Sequence, residues 1–289
     1  MGKASLSILI IAALFASSCS KDRSNAVVPV NVNVADFAIS QSDYPAKDAS
    51  SVASYANVKA ITLAFFDENG NQQYVNTQLR ADASTYETFG NFSLNLPIGS
   101  YTMEVLGYAN EQAATCNSMT EWVFTPDKVR ETFAASQTVT IPNTTTPVDV
   151  SATLNRVVPR LEIITTDPVP EAVKGVRITY AAGGGGINPI TGLSSTNAGY
   201  TYLIANPTTF EGISKLRSHL FIATDQQTMT VTLDALDADG NSVSHKVVPN
   251  VPFQRNKVTK LTGALYSADV TGNFTINTAW ITDTNIVGF

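Results

Sequence analysis

Few residues in this chain are able to do covalent chemistry. Of its 289 residues, two are cysteines and two are histidines. Cys116 lies in AATCNSM with no neighbouring base to take its proton, so it reads as a small, partly buried apolar residue and not as a nucleophile. His219 and His245 lack the H-E-x-x-H spacing that sets two imidazoles on one helix face. His245 alternates with Val243 and Val247, which places it on a strand near an edge. No G-x-S-x-G turn occurs to carry a serine nucleophile. Gly183 to Gly186 suggest a phosphate loop. Such a loop needs Lys-Ser/Thr after its last glycine and then a helix. Neither follows, so the segment AAGGGGINPITGLSSTNAGY (181–200) reads as a mobile surface loop. Tyr200 and Tyr202 beside it either stack on a glycan or form an ordinary strand face.

Two oxygen-rich stretches invite a calcium reading: FFDENGNQQY (65–74) and ALDADGNSVS (235–244). A calcium loop needs glycine at its sixth position and a bidentate glutamate at its twelfth. Here glycine comes fourth and no such glutamate follows, so both read as hairpin turns on Asn-Gly and Asp-Gly. Their similarity suggests two units of similar build. No metal, cofactor or enzymatic activity is expected from these residues.

The remaining cysteine, Cys19, is placed for different chemistry. Lys3 precedes an apolar run from Leu6 to Phe15, followed by the small residues Ala16, Ser17 and Ser18. A positive start, a short apolar core and a small-residue exit mark a secretory signal peptide. The run is well short of the ~20 residues that span a bilayer. A disulfide, a metal, a catalytic thiol and a lipid are all conceivable at Cys19. Ala16-Ser17-Ser18-Cys19 resembles the lipobox of bacterial lipoproteins, with Ala where Leu is commoner, and the expectation is lipid attachment at Cys19. Ser20-Lys21-Asp22 resembles a short export tag to the outer face of the outer membrane. With Cys19 acylated, Cys116 has no partner for a disulfide.

The formal net charge of −6 gives no basic footprint for nucleic acid. Alternation of period two recurs along the chain: Val28/Val30/Val32/Val34, Ile61/Leu63/Phe65, Phe92/Leu94/Leu96, Tyr101/Met103/Val105, Val176/Ile178/Tyr180, Met229/Val231/Leu233, Val243/His245/Val247 and Phe274/Ile276. These predict half-buried strands and an all-β sandwich. A first strand is expected over Val27–Ile39, with a bulge before Phe37, where the phase shifts. Thr125-Pro126-Asp127 predicts a helix start, running to about Ala134, and Glu111–Thr120 a second short helical turn. A Pro/Thr-rich stretch near Pro147 marks a boundary. The expected organisation is a signal peptide over 1–18, one β-sandwich domain over 19–152 and another over 153–289.

Several stretches together resemble the fimbrillin family of Bacteroidales, whose members are fimbrial stalk, tip and anchor proteins. They are VKAITLAFFDENG (58–70), FSLNLPIGSYTMEVLGYAN (92–110), ATLNRVVPRLEIITTDPVP (152–170), VPFQRNKVTKLTGALYS (251–267) and FTINTAW (274–280). The resemblance implies two transthyretin-like antiparallel β-sandwich domains after a lipoprotein signal peptide. It also implies assembly by strand exchange, in which a groove in one subunit accepts a strand from the next. In stalk subunits of that family an Arg-specific protease removes the first strand. Here that strand carries Val28, Val30, Val32 and Val34. The linker after it (SQSDYPAKDASSVASYA) contains Lys47 and no arginine, and the nearest arginine upstream is Arg23. Retention of lipid and first strand suits an anchor, the competing explanation being a host whose maturation does not depend on arginine. At the other end, Ile281, Ile286, Val287 and Phe289 form a candidate donor strand, the alternative being a final strand folded onto its own domain. The expected partners are other fimbrial subunits, the outer membrane through the lipid, and a host surface protein or glycan. The rival expectation is a solitary surface lipoprotein that binds a glycan or host protein without polymerising.

Overall fold

The computed structural model describes residues 26–38, 51–124, 128–267 and 274–277. The signal segment, Cys19, Ile39, Lys47 and the candidate donor Ile281, Ile286, Val287 and Phe289 lie outside these residues. The regular secondary structure of the described chain is almost entirely strand, as the alternation implies. In order these are β1 (Val27–Phe37), β2 (Ala60–Asp67), β3 (Gln72–Leu79), β4 (Asn91–Pro97), β5 (Gly99–Tyr108), β6 (Thr115–Ser118), β7 (Glu121–Val123), β8 (Thr132–Ile141) and β9 (Val148–Arg156). There follow β10 (Arg160–Thr165), β11 (Gly175–Tyr180), β12 (Ile187–Asn188), β13 (Leu193–Ser194), β14 (Tyr200–Ala205), β15 (Lys215–His219), β16 (Gln226–Leu236), β17 (Ser242–Gln254), β18 (Val258–Gly263) and β19 (Thr275–Asn277). A single 3-10 turn, Arg80–Thr85, follows β3 among the described residues.

Strands β3-β2-β5-β8-β9-β1-β4 form one hydrogen-bonded series. β8 and β9 pair only at Phe133↔Arg156 and Ala134↔Asn155. The series therefore bends there into two layers. Between them lie Val30, Leu63, Phe65, Met103, Val105 and Leu154, all fully buried. Downstream, β14-β11-β16-β17 and β15-β10-β18-β19 form two further sheets. β6–β7 and β12–β13 set aside, the same connectivity occurs twice. In each case the first strand (β1 or β10) lies parallel to the seventh (β9 or β18) and antiparallel to the fourth (β4 or β15), and the second arrangement adds β19 beside β18. β9 runs through position 152/153, and its end residue Arg156 pairs with Phe133 of β8.

The two extra hairpins join each other. β13-β12-β7-β6 form a four-stranded sheet through the pair Ile187↔Trp122. This changes three expectations. Glu111–Thr120 is not helical, because Thr115–Ser118 pairs with the strand that carries the buried Trp122. The expected helix ending at Ala134 is replaced in its last turn by β8, where Thr132, Phe133 and Ala134 pair with Tyr108, Gly107 and Leu106; residues 125–127 lie outside the description. A ten-residue ladder outweighs a local cap signal. The glycine-rich stretch is packed structure and not a free loop. At Gly183 (φ +75°) a Cβ would lie 2.5 Å from the Phe221 carbonyl oxygen, so the glycine permits a close backbone approach.

The two Asn-Gly and Asp-Gly stretches are hairpin turns of one design. Asp67 Oδ1 accepts from the amides of Asn69 and Asn71, each at 2.9 Å, and Asp237 Oδ1 does the same with Asp239 (2.9 Å) and Asn241 (2.8 Å). These bonds, led by the Asn71 and Asn241 amides, hold both carboxyls below their usual pKa. The turns are not equivalent by topology. One joins the second and third strands of its arrangement, the other the fifth and sixth.

Candidate functional site

The expected first strand is the natural starting point. Val28, Val30, Val32 and Val34 are all 0–1% exposed, and the residues between them face outward. β1 is central in its layer, paired Val30↔Leu94 with β4 and Val30↔Val148 with β9. A register shift between Val34 and Asp36 supplies the bulge that the sequence phase implies. On the outer face Asn31 donates to Asp149 at 2.9 Å, and Ser93 donates to Asn31 at 3.1 Å. Burial of four valines is worth roughly 1.5–3 kcal/mol each. Without β1, the backbone edges of β4 and β9 and the apolar floor beneath them would be open together.

The far end of β1 closes on an aromatic and ionic cluster that the sequence reading missed. Phe37 packs on Phe133 (ring centroids 4.7 Å) and edge-on to Tyr55 (5.6 Å). The Arg156 guanidinium lies 4.9 Å from the Phe133 ring centre and bonds Glu131 at 2.8 Å. Tyr55 donates to Glu131 at 2.9 Å, and the Asn57 amide donates to the same carboxylate oxygen. Burial and the Glu131 charge push the Tyr55 hydroxyl up to about 12. The available signal was Arg156, which shares the inward phase of Ala152 and Leu154 on β9.

Tyr200 and Tyr202 do not form a stacking platform. Both are buried, and the Tyr200 hydroxyl accepts the Val129 amide at 2.7 Å. His245 is on β17, the edge strand of its sheet, with Nδ1 2.6 Å from Asp234 Oδ1. Asp234 also accepts from Arg177 at 3.1 Å. Cys116 is half-buried, and burial with the nearby Glu104 charge raises its thiol to about 11. No group of three or more metal-ligating side chains occurs among the described residues, and no described helix is long and apolar enough to cross a membrane.

A twice-repeated two-layer strand arrangement with a buried, central first strand defines an all-β, sandwich-type protein. The chain belongs to the family of unknown function DUF6562, whose model matches residues 30–287. No curated protein matches it. Among solved structures it is similar to a candidate adhesin from Bacteroides ovatus (10% identity, 86% of this chain and 96% of that one, TM-score 0.53). It is similar also to the fimbrial anchor protein Mfa2 from Porphyromonas gingivalis (12% identity, 87% and 98%, TM-score 0.52). A third is a candidate polysaccharide-binding protein from Bacteroides thetaiotaomicron (12%, 88% and 96%, TM-score 0.50). At these identities the likeness establishes the fold.

Proposed function

We propose that this chain is a cell-surface lipoprotein of the fimbrillin type, an anchor or structural subunit of fimbriae assembled by β-strand exchange and serving adhesion. It is held in the outer membrane by acyl chains on Cys19. Two sandwich domains follow, divided not at 152/153, which lies inside β9, but after Arg156 at the end of that strand. The observation that carries the reading is β1: a strand with four buried valines, hydrogen-bonded on both edges and joined to β2 through a linker. A strand so placed is a plug that an equivalent strand from another subunit replaces without new geometry. Head-to-tail replacement does not close on itself and gives a filament. The fold shared with a fimbrial anchor and a candidate adhesin supports the reading. The donor is the segment Ile281–Phe289, with Ile281, Ile286, Val287 and Phe289 as its apolar side chains.

The test is an immunoblot of native cell extract before and after boiling in SDS, with mass analysis of the N-terminus. A high-mass ladder before boiling, with lipidated Cys19 retained in the band, is the expected result. A single monomer-sized band in both lanes refutes strand exchange. Cys19→Ala releases the protein from membranes if the anchor is the lipid, and unchanged membrane association refutes that part.

A further inference from the structure

Two clefts stand out in the described residues. The larger, about 710 Å³, lies between β8–β9 and the turn after β17. It has no aromatic ring in its lining, and two of its charged groups are committed: Arg255 to Asp225 at 2.6 Å and Arg156 to Glu131. The smaller, about 650 Å³, lies between the edge strands β3 and β4 and under the 3-10 turn. Its chemistry is different. Tyr74 and Tyr86 contribute half-buried rings, and Asp82, Glu87, Asn76 and Asn91 contribute polar groups. The exposed carboxylates of Asp82 and Glu87 accept no hydrogen bond and form no ion pair within the described residues.

The walls of this cleft are fixed. The Gln78 side chain spans the two edges, donating to the Asn91 carbonyl at 2.6 Å and accepting the Gly90 amide at 2.7 Å. Gly90 is at φ +96°, and a Cβ there would lie 2.7 Å from the Val34 carbonyl oxygen, so only glycine fits. Arg80 rivets the 3-10 turn by donating to the carbonyls of Val58 (2.8 Å) and Ala53 (3.1 Å), and it lies 4.1 Å from the Phe89 ring centre. The Tyr86 hydroxyl donates to the Leu79 carbonyl at 3.1 Å, which sets the ring plane. A ligand therefore meets a preorganised surface and loses little in ordering it.

We propose that this cleft binds a neutral oligosaccharide. A pyranose presents apolar C–H faces and hydroxyl edges, so it needs apolar ring faces beside strong acceptors. Tyr74 and Tyr86 supply the first, and Asp82 and Glu87 the second, through charge-assisted bonds from sugar hydroxyls. The cleft has two carboxylates and no lysine, arginine or histidine in its lining, on a chain of net charge −6. That field repels sialylated, uronic and sulfated sugars and selects neutral ones. The inference deepens the adhesive part of the proposed function and does not depend on strand exchange.

The test is binding of the full chain, with Cys19→Ala for solubility, to an immobilised array of neutral and anionic glycans. At least one neutral oligosaccharide is bound, and no sialylated or sulfated glycan is bound more strongly. The double variant Asp82→Ala/Glu87→Ala, exposed and outside every core contact, loses at least about ten-fold in signal with an unchanged thermal midpoint. Tyr74→Phe retains the signal and Tyr74→Ser loses it. Absence of any neutral glycan signal overturns the proposal, as does a preference for anionic glycans or a signal indifferent to the double variant. An SDS-resistant ladder in cell extract alongside a blank array leaves strand exchange standing and removes the saccharide site alone.

Discussion

Replacing Glu104 with glutamine should change how the stability of this protein depends on pH. Glu104 is on β5 between Ala64 of β2 and Ser136 of β8, on the face shared with Leu106 and Tyr108. It is fully buried, and neither carboxyl oxygen has a hydrogen bond of normal geometry. The hairpin β6–β7 is the neighbour that bears on it. Burial raises its pKa to about 8, and the indole of Trp122 draws it back only part-way. In the folded state it therefore holds a proton that the unfolded chain releases above the ordinary glutamate value of 4.5. Folding takes up a proton between those two values, so stability falls as pH rises through that window and levels off above it. At about 1.4 kcal/mol per pH unit, the loss is on the order of 3–5 kcal/mol by pH 8. His219 acts in the opposite sense. Burial, then the guanidiniums of Arg160, Arg156, Arg217 and Arg130, lower its pKa to about 3. It thus removes stability as pH falls below its unfolded value of 6.5. The two effects oppose each other between about pH 4.5 and 6.5, and Glu104 alone governs the window from about 6.5 to 8. The assay is urea unfolding followed by tryptophan fluorescence at half-unit steps from pH 4.5 to 9. Wild type should lose stability mainly above pH 6.5. Glu104→Gln should match wild type near pH 4.5 and exceed it by a few kcal/mol at pH 8. Parallel profiles for the two proteins would refute the placement of an uncharged carboxyl beneath the β6–β7 hairpin.

Three further outcomes follow from the same geometry. Val32→Asp places a charge among the β1 valines and should cost several kcal/mol, read as a lowered urea midpoint; a change under about 1 kcal/mol would show that β1 is not part of the core. Gly90→Ala should cost at least about 1–2 kcal/mol, from positive φ and from the approach to Val34, measured as a fall in thermal midpoint. In a Cys19→Ala background, Cys116 should react with iodoacetamide at pH 8 about a hundred-fold more slowly in the folded chain than in urea, since its thiol lies at about 11 against 9.0 when free. Equal rates would mean that the thiol is solvated.

The strand faces were readable because their cause is local. Each inward valine of β1 is two residues from the next, whatever covers it. The second faces of β2 and β5 were not readable. Ile61, Leu63 and Phe65 face one core cluster, while Ala60, Ala64 and Phe66 face another that includes Trp122, Tyr180 and Ile187. What covers that second face is a pair of hairpins from distant parts of the chain, and no window of sequence contains both. The 181–200 segment failed for a related reason. Glycine is selected both where chain must move and where backbones must touch, and composition does not separate the two. The smaller cleft was half legible. Tyr74, Asp82, Tyr86 and Glu87 are close in sequence, but the pin that makes them one surface, Gln78 reaching the backbone of Gly90 and Asn91, exists only after β3 and β4 have become opposing edges.

Sequence similarity and structural repetition also part company here. The two matching turns, at Asp67 and Asp237, are at different places in the connectivity, while the strands that do correspond, β1 and β10, share no motif. Their correspondence bears on strand exchange. β10 lies between β18 and β15 as β1 lies between β9 and β4. β10 is held through both of its ends, by β9 upstream across residues 157–159 and by β11 downstream. One backbone cut beside it would leave it tethered. β1 is joined to the other described strands only through the segment leading to β2, so one cut there frees it from them. Of the two equivalent positions, only the first could be released by a single cut, which is what the proposed strand exchange requires. Under that proposal, the same buried valines that make β1 costly to lose would make the vacated groove selective for a donor with apolar side chains at every second residue.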